Sequence, residues 1–264
     1  MYDFTYQRAS SLDDAKSKFS GADDARYMAG GMTLLPVLKQ RLDQPSDVVD
    51  LGFLDDLKGI SEDGGNIVIK AMTVHHAVNT SDVVKSKIPA LAHLAGTIGD
   101  PMVRNRGTIG GSLANNDPAA SYPSAVLALN ATIHTDSRTI AADDFFTGMF
   151  DTALNEGELI TSVSFPIPEK AGYCHFPNPA SRYPIVGVFV AKTADGPRVA
   201  VTGAGACVFR VPEMESALAS NWSPDAVAGV KCSADGLNED IHASPEYRAH
   251  LITVMAKRAI EAAG

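Results

Sequence analysis

The chain has 264 residues, 45% of them hydrophobic and 20% charged, enough for one large domain or two modest ones. That composition excludes disorder, collagen and a disulfide scaffold. Lys plus Arg number 22 and Asp plus Glu 31, giving a formal charge of −9; such a surface repels phosphate backbones, so no nucleic-acid partner is expected.

The three cysteines, Cys174, Cys207 and Cys232, lack zinc-type spacing and are too few to ligate an iron–sulfur cluster alone. They read as reduced, mostly buried thiols of a cytoplasmic protein. No apolar stretch is long enough to span a bilayer, and the opening MYDFTYQRAS shows no leader or cleavage pattern. A soluble protein without an integral membrane segment is expected.

In chain order, Ser11-Leu12-Asp13-Asp14 predicts a capped helix ending at Gly21. A strand over Arg26–Ala29, a turn at Gly30-Gly31, a helix reading TLLPVLKQRL and a strand over Asp47–Leu51 predict a compact βαβ unit. After Asp63-Gly64-Gly65, a strand spans Asn66–Ala71, and helices span Thr73–Val84 and Ile88–Ala95. The run GTIGDPMVRNRGTIGGSLANNDPAA reads as a long loop whose apolar residues argue against disorder. A helix over Tyr122–Leu129 and strands over Ala131–Thr135 and Leu159–Phe165 follow.

The proline-interrupted Phe165–Lys170 marks a domain boundary. Beyond it, Ile185–Lys192 and Arg198–Phe209 form strands joined at Asp195-Gly196, and a closing helix spans Glu246–Ala262 with Leu251, Ile252, Met255, Ala256, Ala259 and Ile260 on one face. The fold class is α+β in two lobes, with 1–170 as one domain (subdomains about 1–55 and 56–170) and 171–264 as a smaller one.

Two segments pair glycines with a nearby hydroxyl: Ala29-Gly30-Gly31-Met32-Thr33 and Thr108-Ile109-Gly110-Gly111-Ser112. Backbone N–H groups freed of Cβ crowding can converge into an anion-binding nest. Either pair alone is an ordinary turn; together they suggest a dinucleotide held from two sides, although spacing does not choose the cofactor. Other features carry less. Gly203-Ala204-Gly205 imitates a Rossmann start, but Val208 stands where the third glycine belongs, so a bulge or close strand packing explains it better. His75-His76 reads as a surface-plus-core pair rather than a metal site. Arg104 and Arg106 read as surface or partner contacts. No metal ligand set and no general acid, base or nucleophile stands out.

MAGGMTLLPVLKQRL and RNRGTIGGSLANNDPAASYP closely resemble the two flavin-binding segments of the medium subunits of molybdenum hydroxylases, the family of the carbon monoxide dehydrogenase medium subunit and the FAD region of xanthine dehydrogenase. NPASRYPIVGVFVAK, VTGAGACVFR and EDIHASPEYRAHLITVMAKRAI resemble that family's C-terminal domain, so the resemblance covers nearly the whole chain. It implies a two-lobed FAD-binding domain of the PCMH/VAO type followed by a small α+β domain.

By the same resemblance, Ala29, Gly30, Gly31, Met32 and Thr33, with Thr108, Ile109, Gly110, Gly111 and Ser112, wrap the FAD diphosphate and ribityl chain. Ile98 lies against the isoalloxazine, the Ile160 backbone contacts the ring system, Asn116 and Asp117 reach ribose or diphosphate-linked water, and Tyr183 stacks on the other face. Ser121 and Pro177 stand where some relatives carry an acidic residue and a lysine, which weakens the case for NAD as acceptor.

The implied function is that of an FAD-binding electron-transfer subunit, with a molybdopterin-binding large subunit and a small subunit carrying 2Fe–2S clusters as partners, assembled as a dimer of heterotrimers. The alternatives are an autonomous flavin-dependent oxidoreductase and a non-catalytic nucleotide-binding scaffold.

Overall fold

The computed structural model describes residues 1–264. At the N-terminus the capped helix forms as expected: Leu12–Ser20 starts on the Ser11 side chain, which accepts from the Asp14 N–H, and ends at Gly21. The reciprocal half of the cap is shifted by one residue, because the Asp14 carboxylate accepts from the N–H of Ser10. Strands Ala25–Met28 and Asp47–Asp50 pair in parallel across the helix Leu34–Lys39, the predicted βαβ unit. A further strand, Thr5–Arg8, with no clear signal in the sequence, completes this three-stranded sheet in the order Thr5–Arg8, Asp47–Asp50, Ala25–Met28.

A five-stranded antiparallel sheet forms the centre, in the order Ile60–Asp63, Asn66–Lys70, Ile160–Pro166, Thr132–Thr135, Thr139–Ala141. The helix expected over Thr73–Val84 is two helices, His75–Thr80 and Asp82–Lys87, because Ser81 leaves helical geometry and caps the second through the Val84 N–H. The expected long loop contains two further short helices, Pro101–Arg104 and Ile109–Asn115, started by the side chains of Asp100 and Thr108.

The C-terminal four-stranded sheet runs Lys170–Pro177, Pro184–Thr193, Gly196–Thr202, Phe209–Arg210. Its second strand is apolar and buried from Pro184 to Ala191 because both faces are covered there. Val186, Val188 and Val190 face Ile252, Met255 and Ala256 of the closing helix Pro245–Ala263, while Phe189 and Ala191 join the central core with Tyr122, Val126 and Val163. The strand expected to run on to Phe209 stops at Thr202. Gly203 turns the chain at φ 82, and a Cβ there would lie 2.4 Å from the Pro184 carbonyl. That is the close packing expected in place of a Rossmann turn. The central helix Tyr122–Ala128 is buried along its whole length between the two cores.

Two predictions follow from this packing. A Cβ on Gly172 would sit 1.9 Å from the Ala259 carbonyl, so Gly172→Ala is expected to lower stability by about 3 kcal/mol in denaturant unfolding, while Gly229→Ala, with nothing within 4 Å, stays within about 0.5 kcal/mol.

The Glu158 carboxylate, nearly buried, accepts from Arg138, Asn155, Thr135 and Ser137. The Arg138 guanidinium leads these in holding it down at about 2. Its stabilisation is complete above the ordinary carboxylate value and is lost as pH falls toward 2. Because Arg138 is 43% exposed and salt screens the pair, Glu158→Gln is expected to cost only on the order of 1 kcal/mol at neutral pH, converging with the parent as pH falls from about 4.5 to 2.

Candidate functional site

One cavity of about 610 Å³ lies between residues 26–43, the helical segment 98–121 and the loop 181–184, within the range of pockets that enclose a cofactor-sized ligand. Two bends meet on its wall. A Cβ on Gly30 would lie 1.9 Å from the Arg106 carbonyl oxygen and 3.0 Å from the Gly107 Cα, and one on Gly111 would lie 3.3 Å from the Ala29 Cβ. The two glycine-rich segments, distant in sequence, therefore touch, with no room for a side chain at Gly30 and little at Gly111.

Their backbones differ sharply in what they offer. None of the N–H groups from Ala29 through Leu34 donates to any group in the chain, and Gly31 takes φ 72, a conformation suited to glycine. In the second bend every amide from 109 to 112 is committed: Ile109 to the Thr73 carbonyl, Gly110 to the Ala71 carbonyl, Gly111 to the Thr108 hydroxyl and Ser112 to the Thr108 carbonyl. Free amides on both bends were expected; the first has six, whereas the second keeps only that of Thr108. The second offers the Thr108 proton, which remains available because that hydroxyl accepts from Gly111, and the Ser112 hydroxyl.

Eleven of the expected site residues line this cavity: Ala29, Gly30, Gly31, Met32 and Thr33 from the first bend, Thr108, Gly111 and Ser112 from the second, and Ile98, Asp117 and Tyr183 around them. Four do not. Ile109 is fully buried in the central core, and Gly110 backs against Ala71, where a Cβ would meet the Ala71 Cβ at 2.6 Å. Asn116 is buried in a left-handed turn, with its amide spent on the carbonyls of Gly148 and Asp151. Ile160 opens its strand inside the core. These residues shape the wall from behind.

Several lining residues carried no sequence signal. Tyr27, stacked on Phe19 at 4.4 Å, donates from its hydroxyl to the Gly157 carbonyl, and burial, then Asp136, pushes it up to about 12. Arg26 and Asp43 form an ion pair on the same wall. Arg104 is not a free surface group: it donates to the carbonyls of Ile98 and Gly99, pinning that loop. Of the histidine pair, His76 is exposed and His75 is buried, as expected, yet His75 also lines the cavity. Burial, then the charge of Arg104, pushes it down to about 4, so it is neutral near pH 7. A histidine pair on a helix start gives no hint of this; only the pairing of residues 73–75 with 107–109 brings His75 there.

The donor set suits a cofactor with a diphosphate: six uncommitted amides, adjacent hydroxyls and a cradle that any Cβ would fill. Residues 2–168 match the model of the FAD binding domain in molybdopterin dehydrogenase. The chain is 38% identical over 273 residues to the nicotine 6-hydroxylase medium subunit of Paenarthrobacter nicotinovorans, covering 98% of this chain and 96% of that one. It is 31% identical to the carbon monoxide dehydrogenase medium chain of Hydrogenophaga pseudoflava, with 98% and 96% covered. Its structure superposes on a chain of reconstituted CO dehydrogenase from Oligotropha carboxidovorans with a TM-score of 0.91 at 30% identity, covering 99% of this chain and 98% of that one. The chain therefore belongs to the FAD-binding medium subunits of the CO dehydrogenase-like molybdenum hydroxylases, oxidoreductase components whose cofactor is FAD.

Proposed function

We propose that this subunit relays electrons from 2Fe–2S clusters of a small subunit to an external acceptor, while a molybdopterin-binding large subunit oxidises the substrate, the three chains pairing as a dimer of heterotrimers. The observation that carries this reading is the run of uncommitted amides from Ala29 to Leu34 beside the crossing of the two bends. In it, these amides hold the FAD diphosphate, and Thr108 and Ser112 donate to the oxygens next to it. Ile98 and Tyr183 pack against the cofactor's flat groups, and Asp117 serves its sugar hydroxyls. Ile109, Gly110, Asn116 and Ile160 support this wall from the core.

When bound, FAD accepts electrons singly and passes them on singly or in pairs, which joins clusters to two-electron acceptors. The chain's own part is to bind and orient that group and to set the field around it. We further read residues 1–170 as the FAD-binding unit and 171–264 as its support, with the separate apolar cluster under the closing helix favouring that division. No helix is long and apolar enough to cross a membrane.

Native purification of the tagged full chain tests the assembly. Iron and molybdenum in fixed ratio to flavin are expected in the purified complex, and a flavin-loaded chain without either metal in any preparation would overturn it. Gly31→Ala forces a side chain into a left-handed backbone at a cost of roughly 1–2 kcal/mol and turns the neighbouring amides. FAD retention in equilibrium dialysis is expected to fall at least about tenfold, the loss of one charge-assisted hydrogen bond, while Met32→Ala, which keeps its amide, retains the cofactor.

A further inference from the structure

His75 is held by main-chain bonds, not by its ring. Its N–H donates to the Gly107 carbonyl at 2.9 Å, the Ile109 N–H donates to the Thr73 carbonyl at 3.1 Å, and Val74 bridges Thr108 between them. The ring packs on Tyr122 with centroids 5.3 Å apart. Neither ring nitrogen has a hydrogen-bond partner in the protein. Nδ1 is sealed inside, whereas Nε2 stands where the ring meets the cavity wall. A Cβ at residue 107 would lie 2.6 Å from Nε2, so glycine at that position is what leaves the nitrogen room.

The location is specific. Gly107 is also a contact point of the first bend, since Gly30 packs on the Arg106 carbonyl and the Gly107 Cα. His75 Nε2 therefore lies one residue from the place where the uncommitted amides gather. A buried imidazole with two unmatched nitrogens is costly unless a ligand completes it. With Nδ1 facing no acceptor, the tautomer protonated at Nε2 puts the donor where a ligand oxygen can take it. The ring enters this role neutral, because burial and Arg104 both oppose its protonation.

We propose that His75 Nε2 donates a hydrogen bond to an oxygen of the FAD diphosphate, making His75 a positioning residue for the cofactor and Gly107 the residue that admits it. This rests on FAD occupying the cavity with its diphosphate at the first bend.

The test uses the full chain in its complex, stripped of flavin and reloaded. Because the ring makes no hydrogen bond within the protein, His75→Leu leaves the fold's own bonds in place. Its FAD dissociation constant is expected to rise about tenfold, the loss expected of one hydrogen bond to a charged group. One of the two phosphorus resonances of bound FAD should shift, while the flavin midpoint potential stays put. His75→Gln, whose amide nitrogen reaches about as far as Nε2, should recover most of the affinity and the resonance. His75→Asn reaches only as far as Nδ1, so it should repeat the loss even if leucine disturbs the fold.

Unchanged affinity and phosphorus resonances in both the Leu and Asn variants would overturn the proposal. So would a shifted potential with unchanged phosphorus resonances, which would put the nitrogen at the ring system. A parent complex that binds no FAD at all would instead overturn the cofactor assignment, and the inference with it.

Discussion

The site depends on one close approach: the main chain at Gly30 resting on the carbonyl of Arg106. At 1.9 Å from that oxygen, a Cβ has no position at all, so the crossing exists only because residue 30 lacks one. It brings residues 29–34 and the helical segment 98–121 to the same point and leaves uncommitted amides on residues that line the cavity between them. It also explains why Gly110 matters without touching that space. Gly110 seats the second bend on Ala71, and the bend must sit there for Arg106 and Gly107 to meet the first.

The two bends divide the work. Six unsatisfied amides would be a liability in an apolar interior, and they are tolerable here because the residues that carry them line a cavity. The second bend spends its amides from 109 to 112 on the fold, which fixes the Thr108 hydroxyl through its bond from Gly111. One bend thus supplies polarity and the other rigidity. In the proposed function, this arrangement is what lets a chain of net charge −9 hold a diphosphate through partial charges on fixed backbone dipoles, without gathering lysines at the site.

The amino-acid pattern showed those parts of the fold whose signals are local. Ser11 before two aspartates, Gly21, the turn at Asp195-Gly196 and the apolar face of the closing helix each rest on contacts within a few residues. What stayed hidden depends on distant partners. The segment 96–120 looked like a loop because its helices are too short to show a period; Asp100 and Thr108 are sound caps, but each opens fewer than two turns. Arg248 gave no sign that it would be 3% exposed, donating to the Ile185 and Gly203 carbonyls and to Asp240. Asn116 looked like a sugar-binding side chain because it sits beside the glycine pair, yet its left-handed backbone turns the amide toward Gly148 and Asp151. Proximity in sequence located the cavity but did not decide which side of its wall each residue faces.

The C-terminal sheet reaches the same site by another route. The Gly203 N–H donates to the Pro118 carbonyl at 2.8 Å, and the Thr202 hydroxyl donates to the Ala120 carbonyl at 2.6 Å. Arg198 reaches from the same strand to the Leu127 carbonyl at the end of the central helix. These bonds clamp residues 118–128, directly after the second bend, onto a strand whose own position is set by the closing helix. Buried charged and hydroxyl donors of this kind are costly to leave unpaired, so the strand and the segment 118–128 hold one another in a single register. The apolar packing under residues 245–263 thereby fixes the placement of Asp117 and Ser121 on the cavity wall, so the C-terminal sheet acts on the cavity through the backbone it holds still as well as through Tyr183.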